Sequence, residues 1–136
     1  MKLTNNFHLD EFINSDTAKA KKIENIPTAE HIENIKALTE RVLQPIRDEL
    51  KKPIKINSGF RSKELNDAIK GAATSQHMNG EAADITLGTK TANKTLFNAI
   101  KKHGEFDQLI DEQNYTWVHV SYKRNGKNRK QILHLK

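Results

Sequence analysis

Residues 74–87 read Thr74-Ser75-Gln76-His77-Met78-Asn79-Gly80-Glu81-Ala82-Ala83-Asp84-Ile85-Thr86-Leu87. The first part is small and polar, as a loop is, and Gly80 lets it turn back on itself. From Ala83 to Leu87 the composition is that of a strand leaving the loop. The loop carries an imidazole, His77, and the strand a carboxylate, Asp84, with six residues between them. A loop of that length can bring both groups to one point while the strand fixes Asp84.

Upstream of this stretch the pattern is helical. Ile32, Ile35, Leu38, Val42, Leu43, Ile46 and Leu50 recur at three- and four-residue steps and predict a helix over 28–50, capped by Thr28 after Pro27. Pro45 inside that pattern calls for a kink or an early end. Phe7, Leu9, Phe12 and Ile13 mark a short N-terminal element that docks on the core. Pro53-Ile54-Lys55-Ile56-Asn57 alternates like a half-buried strand closed by Ser58-Gly59, and 62–70 reads as a short helix stopped by Gly71.

Downstream, Leu96, Phe97 and Ile100 place a second long helix over 91–102, ending near Gly104. Strands are expected at 106–111, 117–122 and 130–135, with turns at Gln113-Asn114 and Asn125-Gly126-Lys127-Asn128. Helices early and short strands late imply an α+β fold, with helices packed on one face of an antiparallel sheet. The chain has 136 residues, no repeat and no linker-like tract, so 1–136 is expected to form a single domain.

Composition narrows the function. With no cysteine there is no disulfide framework, thiolate nucleophile or Cys-ligated metal, so any metal site must use His and carboxylates. No apolar run approaches the ~20 residues of a membrane helix. The first residues lack the pattern of a secretory signal, so synthesis in the cytoplasm is expected. The net charge of +6 is uneven: residues 1–50 hold 7 basic and 9 acidic side chains, whereas 123–136 hold Lys123, Arg124, Lys127, Arg129, Lys130 and Lys136 and no acid. Such a surface attracts anionic polymers, among them nucleic acid or a bacterial wall. A nucleic-acid role is disfavoured, because no basic platform interleaved with aromatics and no recognition helix is legible.

Of six histidines, His8, His31 and His103 lie in charged, helical surroundings and read as surface or capping residues, and His134 as structural. His119 differs. In Trp117-Val118-His119-Val120-Ser121-Tyr122, alternation sends Val118 and Val120 to one face and Trp117, His119 and Ser121 to the other. With the valines on the core, His119 projects over the open face. Two imidazoles and one carboxylate, leaving a position for water, are the donor set of a catalytic zinc site, although Mn, Co or Ni also accept such ligands.

Ser75-Gln76-His77-Met78-Asn79-Gly80-Glu81-Ala82-Ala83-Asp84 resembles the Ser-x-His-x-x-Gly-x-Ala-x-Asp signature of the zinc D-alanyl-D-alanine carboxypeptidase family. That family includes vancomycin-resistance D,D-dipeptidases, phage endolysins that cut the L-Ala–D-Glu bond, and the hedgehog domain. Three further segments agree in order: Ser58-Gly59-Phe60-Arg61-Ser62, Phe106-Asp107-Gln108-Leu109-Ile110 and Trp117-Val118-His119-Val120-Ser121. The resemblance spans about Phe7 to Tyr122 and is nearest the small phage and prophage branch. It implies a hedgehog/D,D-peptidase-like fold, zinc held by His77, Asp84 and His119, and Arg61 beside the substrate. It also implies a substrate contact from Ser75, which is equally placed to cap the loop.

The family's base is a carboxylate shortly before the last His. Some relatives place it three residues before, where this chain has Thr116, and Trp117 stands where several carry the first His of a His-x-His pair. Others place it at the end of the preceding strand, which selects Glu112, with Asp111 as the competitor. Gln108, Ile110 and Glu112 share one face of that strand and Leu109 and Asp111 the other, so only one acid can face the metal. The expected function is zinc-dependent hydrolysis of a peptidoglycan stem-peptide bond by a monomer. It would act as a D-Ala-D-Ala carboxypeptidase or an endopeptidase, reaching the wall at lysis if phage-encoded. A non-catalytic zinc-containing binding module on the same scaffold is the alternative.

Overall fold

The computed structural model describes residues 1–136. The chain opens with a two-stranded ribbon, β1 (Lys2–Thr4) and β2 (Phe7–His8), followed by two short helices, α1 (Leu9–Ile13) and α2 (Asp16–Lys21). Ribbon and α1 bury Phe7, Leu9 and Phe12, as their apolar spacing requires. The long helical segment then begins at Thr28. Its hydroxyl accepts from the His31 N–H at 3.2 Å while His31 Nδ1 accepts from the Thr28 N–H at 3.1 Å, a reciprocal cap with histidine in the usual Glu position.

That segment does not stop at Pro45. It runs as α3 (Ala29–Leu38), one π-helical stretch (Thr39–Leu43) and α4 (Gln44–Leu50). The Gln44 N–H bonds the Thr39 carbonyl, five residues back, so the ladder widens just before the proline. Pro45 has no N–H to give the Arg41 carbonyl four residues earlier. His103 Nε2 donates to that carbonyl instead, at 2.7 Å, from the end of a later helix. The proline therefore redirects one hydrogen bond and leaves the helix intact.

β3 (Lys55–Ser58) and α5 (Lys63–Ala68) lead to a 3-10 turn (Gln76–Asn79) and β4 (Ala82–Thr86); then come α6 (Lys90–His103), β5 (Gln108–Glu112), β6 (Trp117–Ser121) and β7 (Gln131–Leu135). The left-handed residue after α5 is Lys70, with φ of 59°, not Gly71. Gly71 serves close approach: a Cβ there would lie 2.1 Å from Asn66 Oδ1.

The sheet has the order β3-β4-β6-β5-β7. Ala83, Ile85, Leu109, Val118 and Val120 face one side, where Ile35, Leu38, Val42, Ile46, Leu96, Phe97 and Ile100 of the helices cover them. Full burial of such a side chain contributes about 1.5–3 kcal/mol, so this layer fixes the register of every strand. The other side of the sheet is left for chemistry.

The expected α+β layering is present, with one difference in the sheet: β7 runs parallel to β5. A meander would lay β7 against β6, but both edges of β6 are taken by β4 and β5. The chain leaves β6 at the end where β5 begins, so the remaining edge of β5 can be used only in the parallel direction. Asp107 fastens this return. Fully buried, it accepts from the Arg129 N–H at 2.9 Å, from Arg129 Nε and Nη2 at 3.0 and 2.8 Å, and from Gln76 Nε2 at 3.0 Å. Part of the basic tail is thus committed to an internal ion pair, with Arg129 still half exposed.

Burial opposes the Asp107 charge, but the hydrogen bonds from Arg129 and Gln76 outweigh it and bring its pKa down to about 2. A carboxylate depressed on folding stabilises above its unfolded pKa and loses that contribution as pH falls through the folded value. Asp107→Asn should destabilise the protein by roughly 2 kcal/mol at pH 7. In urea titrations at several pH values, the gap from the parent should close as pH approaches 2.

Candidate metal centre

The open face gathers residues from adjacent strands by register alone. Asp84 of β4 pairs across to His119 of β6, and His119 to Ile110 of β5. Two residue pairs further on, Glu112 lies opposite Trp117 on that same face. His77 arrives from the 3-10 turn, which Ser75 caps by accepting the His77 N–H at 3.2 Å. Gly80 ends the turn with φ of 76°, and a Cβ on it would lie 2.6 Å from the His31 carbonyl. The turn is therefore pressed against α3 as only glycine allows.

His77 is 3% exposed, and its Nδ1 lies 2.7 Å from the Gly59 carbonyl. A carbonyl only accepts, so Nδ1 carries the proton and Nε2 presents its lone pair inward, 3.4 Å from Asp84 Oδ2. His119 turns Nδ1 to Asp84 Oδ1 at 2.9 Å. One nitrogen from each imidazole and one carboxylate oxygen lie within 4.8 Å of one another. Burial lowers the His77 pKa, against the opposing pull of Asp84, and keeps the ring neutral. Burial also penalises the Asp84 charge, but the hydrogen bond from His119 overrides it and holds the carboxyl well below the usual carboxylate range. Two imidazoles and an ionised carboxylate, with the His77 ring oriented through its far nitrogen, fit a divalent cation with mixed N and O ligands.

A family model described as Peptidase M15 matches residues 5–121. The chain belongs to the peptidase M15 family. Among curated proteins, the zinc D-Ala-D-Ala carboxypeptidase of Streptomyces albus G is 41% identical over 59 residues, which are 43% of this chain and 22% of that protein. The match thus spans less than a quarter of that relative.

Around the trio, this M15 chain places Arg61 with 12% of its side chain exposed, its Nη2 3.5 Å from Asp84 Oδ2. Nε donates to Ser58 Oγ at 3.2 Å and Nη1 to Asn66 Oδ1 at 3.1 Å. Burial lowers its pKa and the Asp84 charge counters that. The two acids of β5 separate by face. Asp111 is buried on the helix side, where it accepts from the Tyr115 N–H at 2.6 Å and meets His134 Nδ1 at 3.2 Å. Glu112 lies on the metal face, where burial, then the Asp84 charge, push its carboxyl up against a smaller opposing effect of His119.

Several supporting residues escaped the sequence-based selection. Gly59 orients His77 through its carbonyl, Asn66 and Ser58 hold Arg61, and Asn93 ties the β5–β6 turn to α6 through the Tyr115 and Thr116 carbonyls at 2.9 and 3.2 Å. A backbone carbonyl leaves no mark in a sequence. Asn66 and Asn93 did leave one, as amides beside apolar positions of amphipathic helices. Gly80→Ala should cost about 1–3 kcal/mol through backbone strain and the clash with α3, read as a lower urea midpoint.

Proposed function

We propose that the protein is a zinc metallopeptidase that hydrolyses a peptide bond of the peptidoglycan stem. The observation that carries this is the preorganised trio of His77, Asp84 and His119, with Glu112 on the same face. Zinc held by the trio would supply a Lewis acid that polarises the scissile carbonyl and makes water acidic enough to attack at neutral pH. Glu112 takes the proton of the attacking water and passes it to the departing amine, a task suited to a carboxyl whose pKa is raised toward the working pH. Arg61 locks Asp84 in place and sets a fixed positive charge beside the carbonyl oxygen as negative charge develops there. The Ser75 hydroxyl accepts the His77 N–H and keeps its own proton for a substrate oxygen. The carboxypeptidase named above supports the wall peptide as substrate.

The purified protein should hold one zinc per chain by elemental analysis, and His77→Ala, Asp84→Ala and His119→Ala should each lose it. Mass spectrometry of stem pentapeptide or whole peptidoglycan digests should show released D-Ala or new amino termini. Bound zinc with no turnover on either substrate would instead indicate a binding module.

Glu112→Gln should retain zinc and lose about 10²–10⁴-fold in turnover. It should also lose the acid limb of the pH–rate profile, where protonation of Glu112 removes the base. Asp111→Asn should cost far less turnover, because Asp111 faces the helices. Reversed behaviour of the two variants would make Asp111 the base.

A further inference from the structure

β3 is the end strand of the sheet. Its inner edge pairs with β4, and no backbone hydrogen bond from elsewhere in the chain reaches Lys55–Ser58. The outer edge is not flat surface. It forms one side of a groove of about 680 Å³, walled by the α1–α2 junction and by Leu65 and Ile69 from α5 and its end. An unpaired edge inside a groove is the feature to which an extended peptide adds as a further strand. The groove also leads to the metal centre: Ser58 is in register with Asp84, and Arg61 both lines the groove and contacts Asp84.

The lining suits one kind of peptide. Lys55 and Arg61 offer positive charge and Glu11 and Asp16 negative charge, while Ile56 and the 40%-exposed Ile69 supply apolar contact. Four strand residues span roughly 13 Å, the length of about four extended residues. A wall stem peptide has that length and carries both carboxylate and ammonium groups.

We propose that the outer edge of β3 is the subsite for the stem peptide flanking the scissile bond, which adds there as a sixth strand with its charged groups between Lys55 and Asp16. This inference rests on the peptidase function proposed above and extends it to the substrate's path.

Two measurements on the zinc-loaded protein test it. In the first, the isotopically labelled protein is titrated with stem tetrapeptide and followed by amide NMR. Shifts should concentrate at Lys55–Ser58 and residues 14–17. In the second, kcat/KM is compared between D-Ala-D-Ala and the pentapeptide. The longer substrate should be favoured at least 10-fold, and Lys55→Glu with Ile69→Glu, both exposed and harmless to folding, should shrink that ratio. Turnover with shifts confined to the metal centre or the β7 edge, or a ratio that the variants leave unchanged, overturns the subsite and leaves the peptidase intact. Shifts along β3 without turnover of any wall substrate support the subsite and overturn the peptidase. No shifts and no turnover overturn both.

Discussion

Asp84 is a nearly buried carboxylate, and its charge is what the surrounding structure is arranged to hold. An unpaired charge there would be prohibitive, and each neighbour answers it: His119 and His77 at its two oxygens, Arg61 behind them. The same contacts preset the geometry a cation needs. Because Asp84 sits mid-strand in β4, with β3 and β6 on either side, its position is as rigid as the sheet. The metal site therefore inherits its precision from the backbone ladder instead of from loop packing.

The partners of Asp84 are held by second contacts that converge from distant parts of the chain. His77 depends on the Gly59 carbonyl and on a glycine-ended turn pressed against α3, and Arg61 on Asn66, against which Gly71 packs. Gln76, next to His77, reaches Asp107, which also anchors the return to β7. The four sequence motifs are thus one network in space. Peptidase M15 membership accounts for the order of the motifs, and this network shows why they stand together.

The two faces of the sheet divide the work. The helix face buries alternate residues and supplies stability, and the open face displays the residues between them. Asp111 and Glu112, neighbours in sequence, end up in different environments because of this pleat: one in a hydrogen-bonded structural cluster, the other near Asp84 and His119. A one-residue slip in β5 would exchange them. The apolar burial of Leu109 against the helices is what prevents it.

Local pattern was enough to read the helices and strands from Thr28 onward, the loop that carries His77 and the outward projection of His119, because periodicity and capping act over a few residues; β1, β2 and α2 were not read from it. The candidate ligand types were legible too, since the chain has no cysteine, and the family resemblance selected which His and carboxylate. Other features had no local signal. The parallel direction of β7 follows from which strand edges were already filled, and survival of the helix through Pro45 follows from a histidine 58 positions later reaching the Arg41 carbonyl. The tautomer of His77, the fastening of Arg61 and the groove along β3 likewise depend on residues far apart in the chain. Sequence determined which chemical groups are present and which face each takes; tertiary structure decided which meet, because long-range contacts are set by packing and by backbone groups that every residue shares.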